Sequence, residues 1–107
     1  MKFMIEIKAK SGKFHELYQT LHALVPTIRK ENGCQDCRIY TDEAGEQVFF
    51  LSVNWEALSH LEHYIRSSSG SALLGAIELL GEKVRVGIGN EALLEGTEIL
   101  KRMRENR

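Results

Sequence analysis

The chain has 107 residues, of which 43% are hydrophobic and 27% charged, and its formal net charge is −1. This length and balance fit one globular domain with a modest core, and they exclude an intrinsically disordered chain. A nearly neutral chain has no basic field that attracts phosphates, so nucleic acid is not expected as a partner. The first ten residues alternate apolar and charged side chains, unlike a signal peptide, and no apolar run is long enough to cross a membrane. We therefore expect a cytoplasmic protein with no membrane partner.

The first third of the chain predicts a strand followed by a long helix. Residues 3–9 alternate apolar and mostly charged side chains, a period of two that indicates a strand with one buried face. Beyond Ser11-Gly12, apolar residues recur at helical spacing from about Lys13 to Glu31, which predicts an amphipathic helix. Pro26 lies inside this pattern and should kink or open its last turns, and Asn32-Gly33 ends it.

The remaining segments predict three strands and three helical pieces. Segments rich in β-branched and aromatic residues, or with apolar residues on one side, predict strands at residues 34–41, 48–55 and 83–88. Apolar residues at helical spacing predict helices at residues 57–67, 71–80 and 90–104. A turn at 42–46 joins the first two of these strands, and a Ser-rich run at 67–71 interrupts the helical pattern.

The order of these elements predicts an α+β fold. Strand, helix, strand, strand, helix, strand is the split βαβ arrangement of a ferredoxin-like sandwich, with an antiparallel sheet covered by helices on one face. The opposite face would carry three sizeable apolar side chains, Met4, Tyr40 and Phe50, among polar neighbours. Because an exposed apolar set of this kind favours a partner that covers it, we expect a homodimer.

Three segments resemble the antibiotic biosynthesis monooxygenase domain family, whose members form dimeric α+β barrels. They are EIKAKSGKFHEL, RKENGCQDCRIYTDE and VFFLSVNWEA, and the resemblance runs from about Met1 to Gly89. It implies a domain at residues 1–89, with residues 90–107 as a C-terminal amphipathic helical extension. It also implies that the sheets of two subunits face each other, and that each subunit has a pocket between its helices and its sheet.

The resemblance implies more than one activity, and the residues disfavour one of them. Members of the family include cofactor-free quinol and anthrone monooxygenases and heme-degrading enzymes. The heme-degrading members carry an asparagine on the first strand, a second tryptophan and a histidine further along the second helix. The matching positions here are Ile5 or Ile7, Tyr64 and about Leu74, so heme degradation is not expected. No motif for flavin or nicotinamide is recognisable either, and we expect no cofactor.

Trp55, the only tryptophan of the chain, is the first candidate for a substrate contact. Its strand parity with Phe49 and Leu51 predicts that it faces the helices. It would be either a core aromatic or a flat wall against a planar substrate. The residues expected to bind substrate are Trp55, Ile5, Ile39, Phe49 and Leu51.

Tyr64, His60 and His22 are the candidates for catalytic roles. On the helix after Trp55, Tyr64 lies closest to the inward side, as either a core-edge phenol or a hydrogen-bond partner of the substrate. His60 lies near the boundary, as either a helix-flank histidine or a pocket acid–base group, whereas His63 points into water. His22 could edge the same pocket or belong to a solvated or dimer-facing flank of the first long helix.

The remaining motifs favour neither a redox nor a metal site. Cys34 and Cys37 form a lone CxxC at the start of a strand, where positions three apart face opposite sides, so we expect ordinary thiols. His60 and His63 diverge by roughly 60° on a helix, and zinc would need further ligands from elsewhere. We therefore expect no metal.

An enzyme without a cofactor requires the substrate to supply the redox chemistry. A deprotonated hydroquinone can pass an electron directly to O₂, while the protein supplies a dry cavity, a proton acceptor and a hydrogen bond to the phenolate. The hypothesis is therefore a cofactor-independent monooxygenase or oxidase that acts on a small electron-rich aromatic such as a quinol. The alternative is a non-catalytic ligand-binding or interaction dimer. A helix–sheet pocket that is filled rather than open would favour the alternative.

Overall fold

The structure is a computed structural model that describes residues 1–42, 44–45 and 47–105. The strands within these residues are β1 (Lys2–Ala9), β2 (Cys34–Thr41), β3 (Val48–Trp55), β4 (Gly81–Ile88) and β5 (Leu94–Glu95). The helices are α1 (Phe14–Arg29), α2 (Leu58–Arg66), α3 (Ser68–Leu80) and α4 (Glu98–Glu105). The predicted turn at 42–46 includes Glu43 and Glu46, and the predicted extension ends with Asn106 and Arg107. These four residues lie outside the described part of the chain.

The five strands form one antiparallel sheet in the order β2-β3-β1-β4-β5. The order of the first four strands is that of a ferredoxin-like fold, so the predicted α+β architecture is confirmed. The register places Ile5 between Leu51 of β3 and Val86 of β4, and Leu51 in turn pairs with Ile39 of β2. Three of the predicted substrate-binding residues therefore lie in one row across the sheet.

The long helices α1 and α3 each bury one apolar stripe against this face of the sheet. The buried residues of α1 are spaced three or four positions apart, the spacing of one helical face, and they are Leu17, Leu21, Val25 and Ile28. In α3 the corresponding apolar residues are Leu73, Ile77 and Leu80. Among the described helices none combines the length and apolarity needed to cross a membrane.

A single serine separates α2 from α3. Ser67 has extended backbone angles, its hydroxyl donates to the carbonyl oxygen of Tyr64 at 2.5 Å, and it accepts a hydrogen bond from the amide of Gly70 at 3.1 Å. The same side chain thus ends one helix and caps the next. The interruption is shorter than the predicted 67–71, and it places the last turn of α2 beside the first turn of α3.

The prediction of one helix at 90–104 is wrong in its first half. Leu94 and Glu95 pair with Val86 and Arg85 of β4, the amide of Gly96 donates to Val84 at 2.8 Å, and α4 begins only at Glu98. The physical reason is that β4 would otherwise leave a row of backbone donors and acceptors unpaired at the edge of the sheet.

The face of the sheet opposite the helices is polar with three apolar side chains, as predicted. Met4 and Phe50 are half-buried on it, and Tyr40 is 50% exposed. Charged neighbours pair across adjacent strands, with the guanidinium of Arg85 against the carboxylate of Glu6. This surface is continuous over β2, β3, β1 and β4.

Candidate functional site

The predicted substrate-binding residues lie mostly in the closed interior of the molecule. Ile5, Phe49 and Trp55 have no exposed surface and Leu51 is 1% exposed. A side chain without water-accessible surface borders no void that could hold a water molecule, so these four are packed rather than lining an open pocket. Ile39 is only half-buried and reaches the edge of the sheet.

Trp55 and Tyr64 are in contact inside this packed region. Their ring centroids are 5.6 Å apart, with an angle of 32° between the planes, and Tyr64 is 1% exposed. The hydroxyl of Tyr64 donates to the carbonyl oxygen of Ser69 across a long 3.5 Å. Burial raises the pKa of Tyr64 to about 12, because the charged phenolate would lose its hydration. At neutral pH Tyr64 is therefore a hydrogen-bond donor and not a base.

Three buried polar atoms in β3, α2 and α3 have no hydrogen-bond partner among the described residues: Nε1 of Trp55, Nδ1 of His60 and Oγ of Ser69. His60 lies four residues before Tyr64 on α2, and therefore on a neighbouring part of the same helix surface. Each unpartnered buried group costs about 1–3 kcal/mol, so each can gain from a ligand that pairs with it. Trp55, His60, Tyr64 and Ser69 are called here the Trp55–Tyr64 cluster.

His60 is held in place by a close approach to the turn between α1 and β2. Gly33 in this turn has a φ of +86°, and a Cβ added there would lie 2.2 Å from Cγ of His60. The imidazole thus occupies the space that a side chain at residue 33 would need. His63 is exposed, as predicted.

Ser69 is the member of the cluster that sequence reasoning missed. It belonged to a serine-rich run that signalled only a helix break. The chain reversal at Ser67 brings the first turn of α3, and with it Ser69, back to the hydroxyl of Tyr64. Tyr64 bonds the main-chain carbonyl oxygen of Ser69, a group that every residue has, so the sequence carried no signal for this contact.

His22 lies apart from the cluster, in an open groove of about 680 Å³ between α1 and β2. The imidazole is exposed and stacks on Tyr18 with ring centroids 4.2 Å apart. Ile39 lines the same groove, and of the described residues neither Trp55 nor Tyr64 contributes to its lining. The structure thus separates His22 from Trp55 and Tyr64, whereas Ile39 lines this groove and also pairs with Leu51 in the sheet.

The two cysteines lie on the same side of the sheet, so the prediction that they face opposite sides is wrong. Cys34 pairs with Trp55 and Cys37 pairs with Val53, with a β-bulge at the intervening Gln35. The extra residue in the bulge restores the same orientation for positions three apart. Both are free thiols, and burial raises the pKa of Cys37 to about 12 and also raises that of Cys34. At neutral pH neither is an activated nucleophile.

No group of three or more His, Cys, Asp or Glu side chains in the described part of the chain is arranged to hold a metal ion. His60 is half-buried whereas His63 is exposed, which fits their divergence around α2. The expectation of a metal-free site stays a prediction.

The family model described as antibiotic biosynthesis monooxygenase matches residues 1–71, more than half of the chain. The chain belongs to the antibiotic biosynthesis monooxygenase family. No curated protein sequence matches it. The match spans β1 to the first turn of α3, and so it contains the entire Trp55–Tyr64 cluster, whereas α4 lies beyond it.

Solved structures share the fold of this family member over most of its length. PA3566 from Pseudomonas aeruginosa is 23% identical, with a TM-score of 0.75 over 85% of this chain and 93% of its own. A conserved protein from Methanosarcina mazei Go1 is 18% identical, with a TM-score of 0.76 over 85% and 91%. A structure described as an antibiotic biosynthesis monooxygenase is 15% identical, with a TM-score of 0.71 over 84% and 98%. Identities this low establish a common fold and not a common substrate.

Proposed function

We propose that the protein is a cofactor-independent monooxygenase or oxidase that acts on a small electron-rich aromatic such as a quinol. The observation that carries this proposal is the Trp55–Tyr64 cluster, in which the two aromatic rings are in contact and one polar atom each of Trp55, His60 and Ser69 is buried without a partner in the described part of the chain. A planar molecule with ring hydroxyls matches the flat aromatic rings in shape. Its hydroxyl groups supply the hydrogen-bond partners that the buried polar atoms of the cluster lack. Membership of the antibiotic biosynthesis monooxygenase family supports the reaction class.

In this proposal the substrate supplies the electrons and the protein supplies the environment. Once the ring hydroxyl loses its proton, the electron-rich ring passes an electron to O₂. Tyr64, protonated at neutral pH, donates a hydrogen bond to the ring oxygen and stabilises its developing negative charge. His60 accepts the proton at Nδ1, and Trp55 forms a flat wall beside the ring. His22 is left out of this assignment because it lines a different groove.

The apolar residues on the helix-facing side of the sheet keep the reaction away from bulk water. Ile5 and Leu51 pair across β1 and β3, and both are fully buried on the helix-facing side. A dry site strengthens the hydrogen bond from Tyr64 and prevents water from quenching reactive intermediates. Because the cluster is packed closed, the substrate enters only when this part of the wall opens.

A homodimer belongs to the same proposal. Met4, Tyr40 and Phe50 form an apolar set on the sheet face opposite the helices, and Tyr40 is half exposed. A second copy that placed its own sheet against this face would bury the set. No further partner besides the small aromatic molecule and O₂ is proposed, and the expected compartment is the cytoplasm.

Oxygen uptake by the metal-stripped protein tests the proposal. A panel of reduced quinones and polyhydroxylated aromatics is assayed, and each rate is corrected for spontaneous autoxidation. We expect saturable, protein-dependent uptake on at least one compound. Tyr64→Phe should lower kcat/KM for that compound about 10²-fold, the usual effect of losing one donor to a developing oxyanion. Tyr18→Phe, at a tyrosine that is 41% exposed, is the matched control and should leave the rate unchanged. Unchanged turnover in Tyr64→Phe would remove the assigned role of that residue.

A non-catalytic ligand-binding or interaction dimer is the second candidate. The closed packing of Trp55 and Tyr64 favours it, since the site as it stands has no room for a ring. In that case no compound of the panel would give protein-dependent oxygen uptake. A ligand from the same panel would instead produce a saturable change in the fluorescence of Trp55.

A further inference from the structure

The helix α4 is fastened to α2 by two reciprocal arginine contacts. Nε of Arg66 on α2 donates to the carbonyl oxygen of Met103 at 2.8 Å. In return, Nη1 of Arg104 on α4 donates to the carbonyl oxygens of Ile65 and Ser67. Leu100 of α4 is 1% exposed, so a buried apolar side chain accompanies the polar contacts. The helix is docked by side chains that reach main-chain atoms in both directions.

The carbonyls held by Arg104 belong to the junction between α2 and α3. The last carbonyl groups of a helix have no partner within it, and a cation near them also suits the helix dipole. Arg104 satisfies two carbonyls at this end, one in α2 and one at the linking residue Ser67. It therefore holds the end of α2 in its position relative to the start of α3.

This junction forms one wall of the Trp55–Tyr64 cluster. Tyr64 lies in the last turn of α2 and Ser69 in the first turn of α3, on either side of Ser67. The opposite wall is β3, a central strand paired on both sides, which opens only at high free-energy cost. The junction interrupts the helical hydrogen bonding, so it is the part of the enclosure that can separate most readily.

We propose that α4 is a strap that keeps the Trp55–Tyr64 cluster closed, with Arg66 and Arg104 as the positioning residues that set how often the cluster opens to a small aromatic ligand. The nature of that ligand rests on the proposed function, whereas the opening itself does not. The strap lies outside the residues matched by the family model.

Two measurements on the intact protein test the strap without any substrate. Hydrogen exchange reports the opening of residues 64–73, and acrylamide quenching reports the access of a small molecule to Trp55, the only tryptophan. Arg104→Gln removes the contacts of one charged donor. It should therefore raise hydrogen exchange at the junction about tenfold. Quenching of Trp55 should rise with it. Arg66→Gln removes the reciprocal contact and should act in the same direction, and it decides the question if Arg104→Gln does not fold.

The controls separate positioning from general stability. Arg102→Gln makes the same charge change at an exposed position of α4 and should leave both readouts at their wild-type values. Arg104→Lys, which keeps a charged donor, should restore most of the protection. Unchanged exchange in Arg104→Gln, or an increase shared equally by β1 and β3, would overturn the proposal. If the strap behaves as expected but no oxygen uptake is found, only the proposed function fails. Uptake with an unresponsive strap would mean that the substrate enters elsewhere.

Discussion

Gly33 and His60 lie so close together that a substitution at either position should change the free-energy cost of a substitution at the other. Gly33→Ala carries two separate costs. Its φ of +86° disfavours any residue with a side chain, by about 1–2 kcal/mol. Its new Cβ would also lie 2.2 Å from Cγ and 2.7 Å from Cβ of His60, and overpacking of this kind costs about 1–3 kcal/mol. The free energy of unfolding should therefore fall by about 2–5 kcal/mol.

Gly12 provides the matched control for the backbone cost. Its φ is +76°, and an added Cβ would meet nothing within 4 Å. Gly12→Ala should therefore lose only the conformational part, about 1–2 kcal/mol. In a His60→Ala background, Gly33→Ala should cost less than in the wild type, since the imidazole is gone and only the Cβ of residue 60 remains close. The coupling between the two substitutions should be about 1 kcal/mol or more.

Guanidinium chloride unfolding followed by the fluorescence of Trp55 measures all four variants. The indole is fully buried in the folded protein and becomes hydrated on unfolding, so one probe reports the loss of the core around the cluster. The reasoning is refuted if Gly33→Ala costs no more than Gly12→Ala. Strict additivity of Gly33→Ala and His60→Ala would also refute it, because the two residues would then not share the space.

Two further predictions concern the outer face of the sheet and alkaline pH. Phe50→Glu should convert a homodimer into monomers in sedimentation velocity, because it buries a charge in the proposed interface; a wild-type protein that sediments as a monomer would contradict the dimer. Burial raises the pKa of both Cys37 and Tyr64 to about 12, from 9.0 and 10.0 respectively, so the folded state keeps protons that the unfolded state releases. The contribution of these groups to the free energy of unfolding is complete below about pH 9 and should decrease as pH rises towards 12. In Tyr64→Phe the free energy of unfolding should decrease less steeply above pH 10 than in the wild type. Urea unfolding midpoints measured across this pH range test the prediction. A midpoint that stays constant would show that burial does not raise the pKa values of the two groups.

The antiparallel α+β fold could be predicted because its signals are local. The alternation of residues 3–9 and the apolar stripe of α1 each lie within one segment, where the period alone identifies the element. The parity of Trp55 with Phe49 and Leu51 predicted correctly that all three face the helices. A side chain's face follows from its position in the strand, whatever the strand pairs with.

The composition of the site depended on contacts between segments that are distant in the chain. The sequence by itself determined the order of the elements from β1 to β4, the inward faces of β3 and α2, and the family to which the chain is similar. Only the tertiary structure decided that residues 94–95 pair with β4, that a bulge turns Cys34 and Cys37 to one side, and that Ser69 meets Tyr64. It also decided that His22 lies in a separate groove. Periodicity specifies which way a side chain points within its own element, whereas its neighbours are set by backbone pairing at a sheet edge and by the angle at which one helix leaves another.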